Sequence, residues 1–430
     1  MNGSSSGARA CRVTWWSRTG LVAASLVLAA VAGAADVNWP QFRGPTQMGH
    51  ADVDRLPVTW SETKNIKWKT ALPGQGWSSP VIWGDQIWMT TATREGRSLR
   101  ALCVDKDTGR IVHDVEVFAL EKALPKMDFN SHASPTPVIE EGRVYVCFGT
   151  SGSVCLDTRT AKPIWTNQEL KVDHVVGPGS SPVLYKDLYI LDCDGVDVQY
   201  IAALNKETGK LVWKTPRSMP MDAVTKDERK AFCTPTVIQV DGQDRLLSVG
   251  ARRFYCYDPV TGKEIWYCNH GGYSNAVRPV FGHGLVFVTS GYVRAELFAI
   301  RAAGASGDVT KTHVAWRSNQ NAPLKPATLV VGEELYGVND TGVVRCVKAR
   351  TGDLVWQKRL TKPCSAAPLY AAGHIYVFSE QNEGVVVKPG GTEPNVVATN
   401  VLEAGCMATP AVSGHALFIR TKTHLYRIEE

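Results

Sequence analysis

Asn205-Lys206-Glu207-Thr208-Gly209-Lys210-Leu211-Val212-Trp213 is the stretch whose reading decides the fold. A polar residue opens it, Thr-Gly turns it, and a short apolar run ends on tryptophan. The phrase returns as Asp258 through Thr261-Gly262 to Trp266 and as Lys348 through Thr351-Gly352 to Trp356. Asp157 through Thr160-Ala161 to Trp165 keeps the spacing with alanine for glycine. Asp105 through Thr108-Gly109 places His113 in the tryptophan slot, and Trp316 ends a copy with a lengthened turn. Glycine supplies the positive φ of a tight hairpin, and the leading Asp or Asn side chain bonds the turn backbone. The tryptophan is positioned to wedge against a neighbouring unit, which is a packing role.

The tryptophans lie 48, 53, 50 and 40 residues apart from Trp165 to Trp356. Units of that size, each reading as four short strands, match the blade of a β-propeller. In one unit Ser181–Leu184 opens, Asp187–Leu191 and Gln199–Leu204 follow, and Lys210–Trp213 closes. Apolar, β-branched runs between Gly, Asp and Asn clusters are the strand signal. Opening strands begin near Ser79, Thr136, Ser181, Thr234, Arg278, Ala327, Ala367 and Thr409, most of them followed by proline, which a strand start tolerates. Eight units follow, the last lacking one strand. Ile66-Lys67-Trp68-Lys69-Thr70 stands alone before the first unit and supplies that strand. The expected fold is therefore all-β: an eight-bladed propeller of four-stranded antiparallel blades, its ring closed by an N-terminal strand completing the last blade.

Arg9, Arg12 and Arg18 precede the apolar run Leu21–Val31, and Ala32-Gly33-Ala34 offers a cleavage site. The expected organisation is a signal peptide over 1–34, an N-terminal arm over 35–65 and the propeller over 66–430. The expected location is periplasmic or extracellular, with no stable membrane span after cleavage. The formal charge is +6, and loss of three leader arginines brings it to about +3. That charge is weak and scattered, with no basic stretch interleaved with aromatics, which excludes a nucleic-acid partner.

Ten cysteines follow the leader. Cys103, Cys155, Cys256 and Cys346 take the same third-strand position in different units, too far apart for a disulfide, and read as core residues. The expected number of disulfides is zero or one. Walker, G-x-G-x-x-G and H-E-x-x-H patterns are missing, and His270-Gly271-Gly272 lacks the nucleophile elbow that would make it an oxyanion turn.

In a propeller the loops entering the innermost strands ring the axial channel. Trp77, His132, Asn275, Arg278 and Lys325 fall there and make the candidate cofactor site, a cationic pair with aromatic and amide groups suited to a planar anion. His132, His174, Cys233, Cys364, Cys406 and Met407 share the ring and are the types that hold a soft metal. Asp192, Asp194 and Asp197 alternate around Gly195 as hard oxygen ligands for calcium, in a turn that also reads as a plain Asp-Gly hairpin.

The Thr-Gly-to-Trp repeats, the proline-bearing first strands and the count of eight resemble the PQQ-like β-propeller repeat family. That family includes the quinoprotein alcohol dehydrogenases and the assembly propeller BamB. The lead-in Asn38-Trp39-Pro40-Gln41-Phe42-Arg43-Gly44-Pro45 is similar to that of exported PQQ-binding-like repeat proteins. In the dehydrogenases the resemblance implies PQQ on the axis, a vicinal disulfide above it, calcium beneath it and an Asp base. This chain has no adjacent cysteines and no long insertions, and no Asp matches the base. The resemblance thus implies an exported non-catalytic scaffold, with no cofactor expected and no catalytic residue, serving another protein or a cell-envelope polymer. The alternative it implies is a PQQ- and calcium-dependent oxidoreductase with a degenerate axial site.

Overall fold

The computed structural model describes residues 38–292 and 295–430. The expected leader, 1–34, lies outside the described residues. Eight sheets form the ring, each built on a four-stranded antiparallel blade, and no α-helix occurs among the described residues. Blade 3 is representative: Val183–Tyr185, Leu188–Asp194, Gln199–Asn205 and Leu211–Pro216 pair antiparallel in chain order. Blade 8 combines Ala411–Ser413, Ala416–Arg420 and His424–Ile428 with Ile66–Ala71. Ile66–Ala71 pairs antiparallel with His424–Ile428, so the first and last strands of the ring share one sheet. No blade is left with a missing strand.

The repeated phrase works by packing one blade onto the next. Asn205 Oδ1 accepts from the Thr208 backbone N–H at 3.0 Å and hydroxyl at 3.0 Å, fixing the turn. Gly209 then takes φ +69°, and a Cβ there would lie 2.6 Å from the ring of Trp165 on blade 2. Trp165 Nε1 donates to Lys206 O, in the same turn, at 2.7 Å. The same juxtaposition sets Trp68 over Gly109, Trp213 over Gly262 and Trp316 over Gly352. Across the strands, Cys155, Cys256 and Cys346 sit in register opposite Trp165, Trp266 and Trp356. A small residue there leaves room for the indole. The apolar clusters accordingly span neighbouring blades, as where Trp88 and Cys103 of blade 1 meet Val144 and Leu156 of blade 2.

The lengthened turn before Trp316 leaves its own blade. Its Gly307–Asp308 segment pairs in parallel with Trp266 and Tyr267, covering the outer edge of blade 4.

Around the axis, the residue two positions before each opening strand forms a second ring. The backbone N–H of Ser79 donates to the Thr136 hydroxyl at 3.0 Å, Thr136 to Ser181 at 2.9 Å, and Ser181 to Thr234 at 3.1 Å. Ala367 donates to Thr409 at 3.0 Å and Thr409 to Ser79 at 3.0 Å. Arg278 and Ala327 hold the intervening positions and offer no hydroxyl.

The N-terminal arm runs to this gap. Trp39 bridges Ile82 of blade 1, and Pro40 O accepts from Ile139 of blade 2. The turn Phe42–Met48 reaches blades 4, 5 and 6, and His50–Ala51 adds a parallel strand to blade 7 at Tyr370–Ala371. The arm thus spans the channel at the end where the first two strands of each blade turn. The loops that enter the first strands lie at the other end.

Candidate functional site

The sequence places five side chains on the entering loops, and each is engaged within the protein. Trp77, half-buried, donates from Nε1 to Phe129 O at 3.0 Å. The His132 Nε2 lies 2.8 Å from Leu124 O, and its ring packs on Gly96, where a Cβ would come within 2.3 Å. Asn275 is fully buried; its Nδ2 donates to Thr289 O at 3.0 Å, while its Oδ1 has no partner. Lys325 is bound by Glu380 at 2.7 Å and Asp340 at 3.5 Å. Burial pushes the Glu380 carboxyl up, but the bonds from Lys325 and Ser365 outweigh it and hold it below its usual value.

Arg278 is not at the channel mouth as its place in the loop suggests. Its guanidinium turns inward to the arm and is buried. It donates to the Thr236 hydroxyl at 3.0 Å, to Gln47 Oε1 at 2.7 Å, to Pro235 O at 2.9 Å and to Phe42 O. The two expected cations therefore do not pair across a common opening. A planar polyanionic quinone would find Lys325 already neutralised and Arg278 sealed behind the arm, so these residues do not fit that group.

The soft side chains are dispersed in the same way. Cys233 donates to Val277 O at 2.8 Å, Cys364 to Lys362 O at 3.3 Å and Cys406 to Ala408 O at 2.9 Å. Burial pushes the Cys364 and Cys406 thiols up to about 12, so all three act as buried neutral donors. All ten described cysteines are free and buried. No cluster of three or more His, Cys, Asp or Glu with metal-binding geometry occurs among the described residues.

Asp192 and Asp194 do come together, on one face of a blade 3 strand, and what they hold is Arg217. Arg217 Nη2 lies 3.0 Å from Asp192 Oδ1 and 2.6 Å from Asp194 Oδ2, and Nε lies 3.0 Å from Asp194 Oδ1. Ser248 donates to Asp192 Oδ1 at 2.7 Å, and Arg217 reaches the Tyr257 hydroxyl at 3.2 Å beside the Tyr255 ring. Asp197 stands apart in the turn and accepts from the Asp173 N–H at 2.8 Å. The three carboxylates do not converge on one point, and a guanidinium fills the place the sequence suggests for calcium.

Two carboxylates against one guanidinium leave a buried negative charge. Desolvation, with the neighbouring Asp194 charge adding to it against the pull of Arg217, pushes Asp192 up to about 7. Its Oδ2 has no partner and borders a cavity of about 10 Å³, room for one water. His174 Nδ1 and Ser180 Oγ line the same cavity, also without partners. Burial draws His174 down to about 4, so it is neutral there. Arg217 carried no local signal in the sequence; it lies 23 residues from Asp194 with no motif between them.

The rim of the entering loops carries three exposed apolar side chains among charged ones such as Asp128 and Asp173. Phe129 is 60% exposed, Met127 48% and Val175 36%. Met127 N–H donates to Val176 O at 3.2 Å, and Asn130 Nδ2 to the same oxygen at 2.9 Å, which fastens the two loops together.

The family described as outer membrane protein assembly factor BamB matches residues 79–214 and 197–429. Among curated proteins, quinoprotein ethanol dehydrogenase of Pseudomonas aeruginosa is 32% identical over 147 residues, covering 30% of this chain and 22% of that protein. The chain thus spans about a fifth of that relative's length. Among solved structures, BamB from Moraxella catarrhalis superposes with a TM-score of 0.59 at 13% identity, covering 84% of this chain and 99% of that one. Quinohemoprotein alcohol dehydrogenase from Comamonas testosteroni gives 0.52 at 12% identity, covering 91% and 80%. The computationally designed Ika8 protein gives 0.58 at 10% identity, covering 83% and 98%. At such identities the likeness is one of fold.

Proposed function

The chain belongs to the family of outer membrane protein assembly factor BamB, and on that premise we propose that it is an exported, non-catalytic propeller scaffold. Its partner is another protein or a cell-envelope polymer. The observation that carries this reading is the state of the polar groups at the channel. Trp77, His132, Arg278 and Lys325 are all bonded within the protein, and the arm spans the opposite end. Among the side chains the entering loops present outward are Phe129, Met127 and Val175, on two loops held together by hydrogen bonds. Exposed aromatic and Met side chains on a rigid base suit protein contact.

A second reading, a quinone-dependent oxidoreductase, is favoured by the match to quinoprotein ethanol dehydrogenase. Titration of the purified protein with PQQ, with and without calcium, separates the two by calorimetry and quinone absorbance. The scaffold reading expects no saturable heat at millimolar quinone. One-to-one binding would reverse the choice and direct work to alcohol oxidation.

A further inference from the structure

Two arginines, Arg43 of the arm and Arg278 against it, lie beside the axis with no carboxylate to balance them. Arg43 is 0% exposed and Arg278 1%. Every acceptor they reach is neutral. Arg43 Nη2 donates to Met48 O at 2.6 Å and Thr328 O at 2.8 Å. Arg278 donates to a hydroxyl, an amide oxygen and two backbone carbonyls. Arg217, equally buried, shows the contrast: it faces two aspartates. A guanidinium stays protonated in proteins, and a buried cation without a counter-charge is costly.

Arg43 is also incompletely bonded. Its Nε and Nη1 have no partner, and neither does the hydroxyl of Thr328, whose carbonyl Arg43 grips. Burial draws both arginines down to about 9, and the nearness of Arg43 adds to the effect on Arg278. The surroundings are pared back. The axial ring positions of blades 6 and 7 are Ala327 and Ala367, where five other blades carry hydroxyls. Gly49 passes so close that a Cβ would sit 2.7 Å from Arg43 Nη2.

We propose that the Phe42–Met48 turn, Arg278 and Thr328 enclose a binding site for one small inorganic anion of halide size, held chiefly by Arg43. The free donors are sealed from solvent, which leaves no path for a larger carboxylate or phosphate. The anion enters as the arm docks and then fastens the arm to blades 5 and 6. The site is independent of whether the channel mouth takes a quinone.

The full chain tests this directly. Crystals grown in bromide should show an anomalous peak within hydrogen-bond reach of Arg43 and Thr328; a map empty there overturns the proposal. Thermal melts at constant ionic strength should run about 3–5 °C higher in chloride or bromide than in gluconate, which is too large to enter. Arg43→Met, which removes the buried charge, should fold and melt at one temperature in all three salts. Wild-type melts that ignore the halide would also overturn it.

Discussion

In blade 2 the turn glycine is replaced by Ala161, buried and with φ +55°. The slot on blade 1 that corresponds to Trp165 holds His113 instead, stacked on Trp88 at 5.8 Å. These two departures from the repeat coincide, because a smaller ring admits the extra methyl. His113→Trp should therefore destabilise the protein by about 1–3 kcal/mol, through overpacking against the Cβ. Ala161→Gly in that background should recover most of the loss. Urea unfolding of the four-member cycle measures this, and a coupling below about 0.5 kcal/mol would sink the explanation. Asp192 gives a second residue-scale prediction. Its folded pKa is raised above the unfolded value, so the stability it contributes is full below about pH 4 and lost as pH rises through about 7. Asp192→Asn should match wild type at about pH 4, become progressively more stable than it as pH rises to about 7 and hold that margin above, by denaturant titration at each pH. Arg217→Met should cost about 3–5 kcal/mol, since it strands two buried carboxylates. The turn residues were legible because Asn205, Thr208, Gly209 and Trp213 lie within one hairpin. Arg217 and Arg43 were not, since their partners are fixed by the closed ring and not by spacing.

Among the elements, the course of the N-terminal segment was not legible. Some of its contacts join residues more than 230 apart, such as Phe42 with Arg278 and Arg43 with Thr328, and no local pattern encodes them. Trp39 anchors one end, fully buried beneath Gly44, whose φ is +79° and whose Cβ would strike the indole at 2.6 Å. Gly44→Ala should loosen the arm by about 1–3 kcal/mol. Limited proteolysis should then cut near residues 44–48 while the blades stay intact. Unchanged protection there would show that the indole moves aside. The blades themselves were read nearly whole. The opening strands are short, three residues in every blade but blade 4, where Thr236–Val240 runs to five.

For the molecule as a whole, eight units and their closure followed from periodicity, whereas the chemistry of the mouth did not. A loop can be assigned to the channel from sequence, but the direction of Arg278 depends on what occupies the axis. Closure rests on Ile66–Ala71 pairing with His424–Ile428, ending in the Glu429 N–H bond to Asn65 O at 2.9 Å. A chain ending before His424 should leave two edges open and aggregate, read by light scattering beside the full-length protein. The same pairing sets the order of events as the ribosome releases the chain. Ile66–Ala71 is made before the strands of blades 1 to 7 and waits for His424–Ile428, so blade 8 cannot form until all of those have been synthesised. Until then the nascent ring carries two unpaired strand edges, and the wait between those two strands is the interval in which it is most exposed to misassembly.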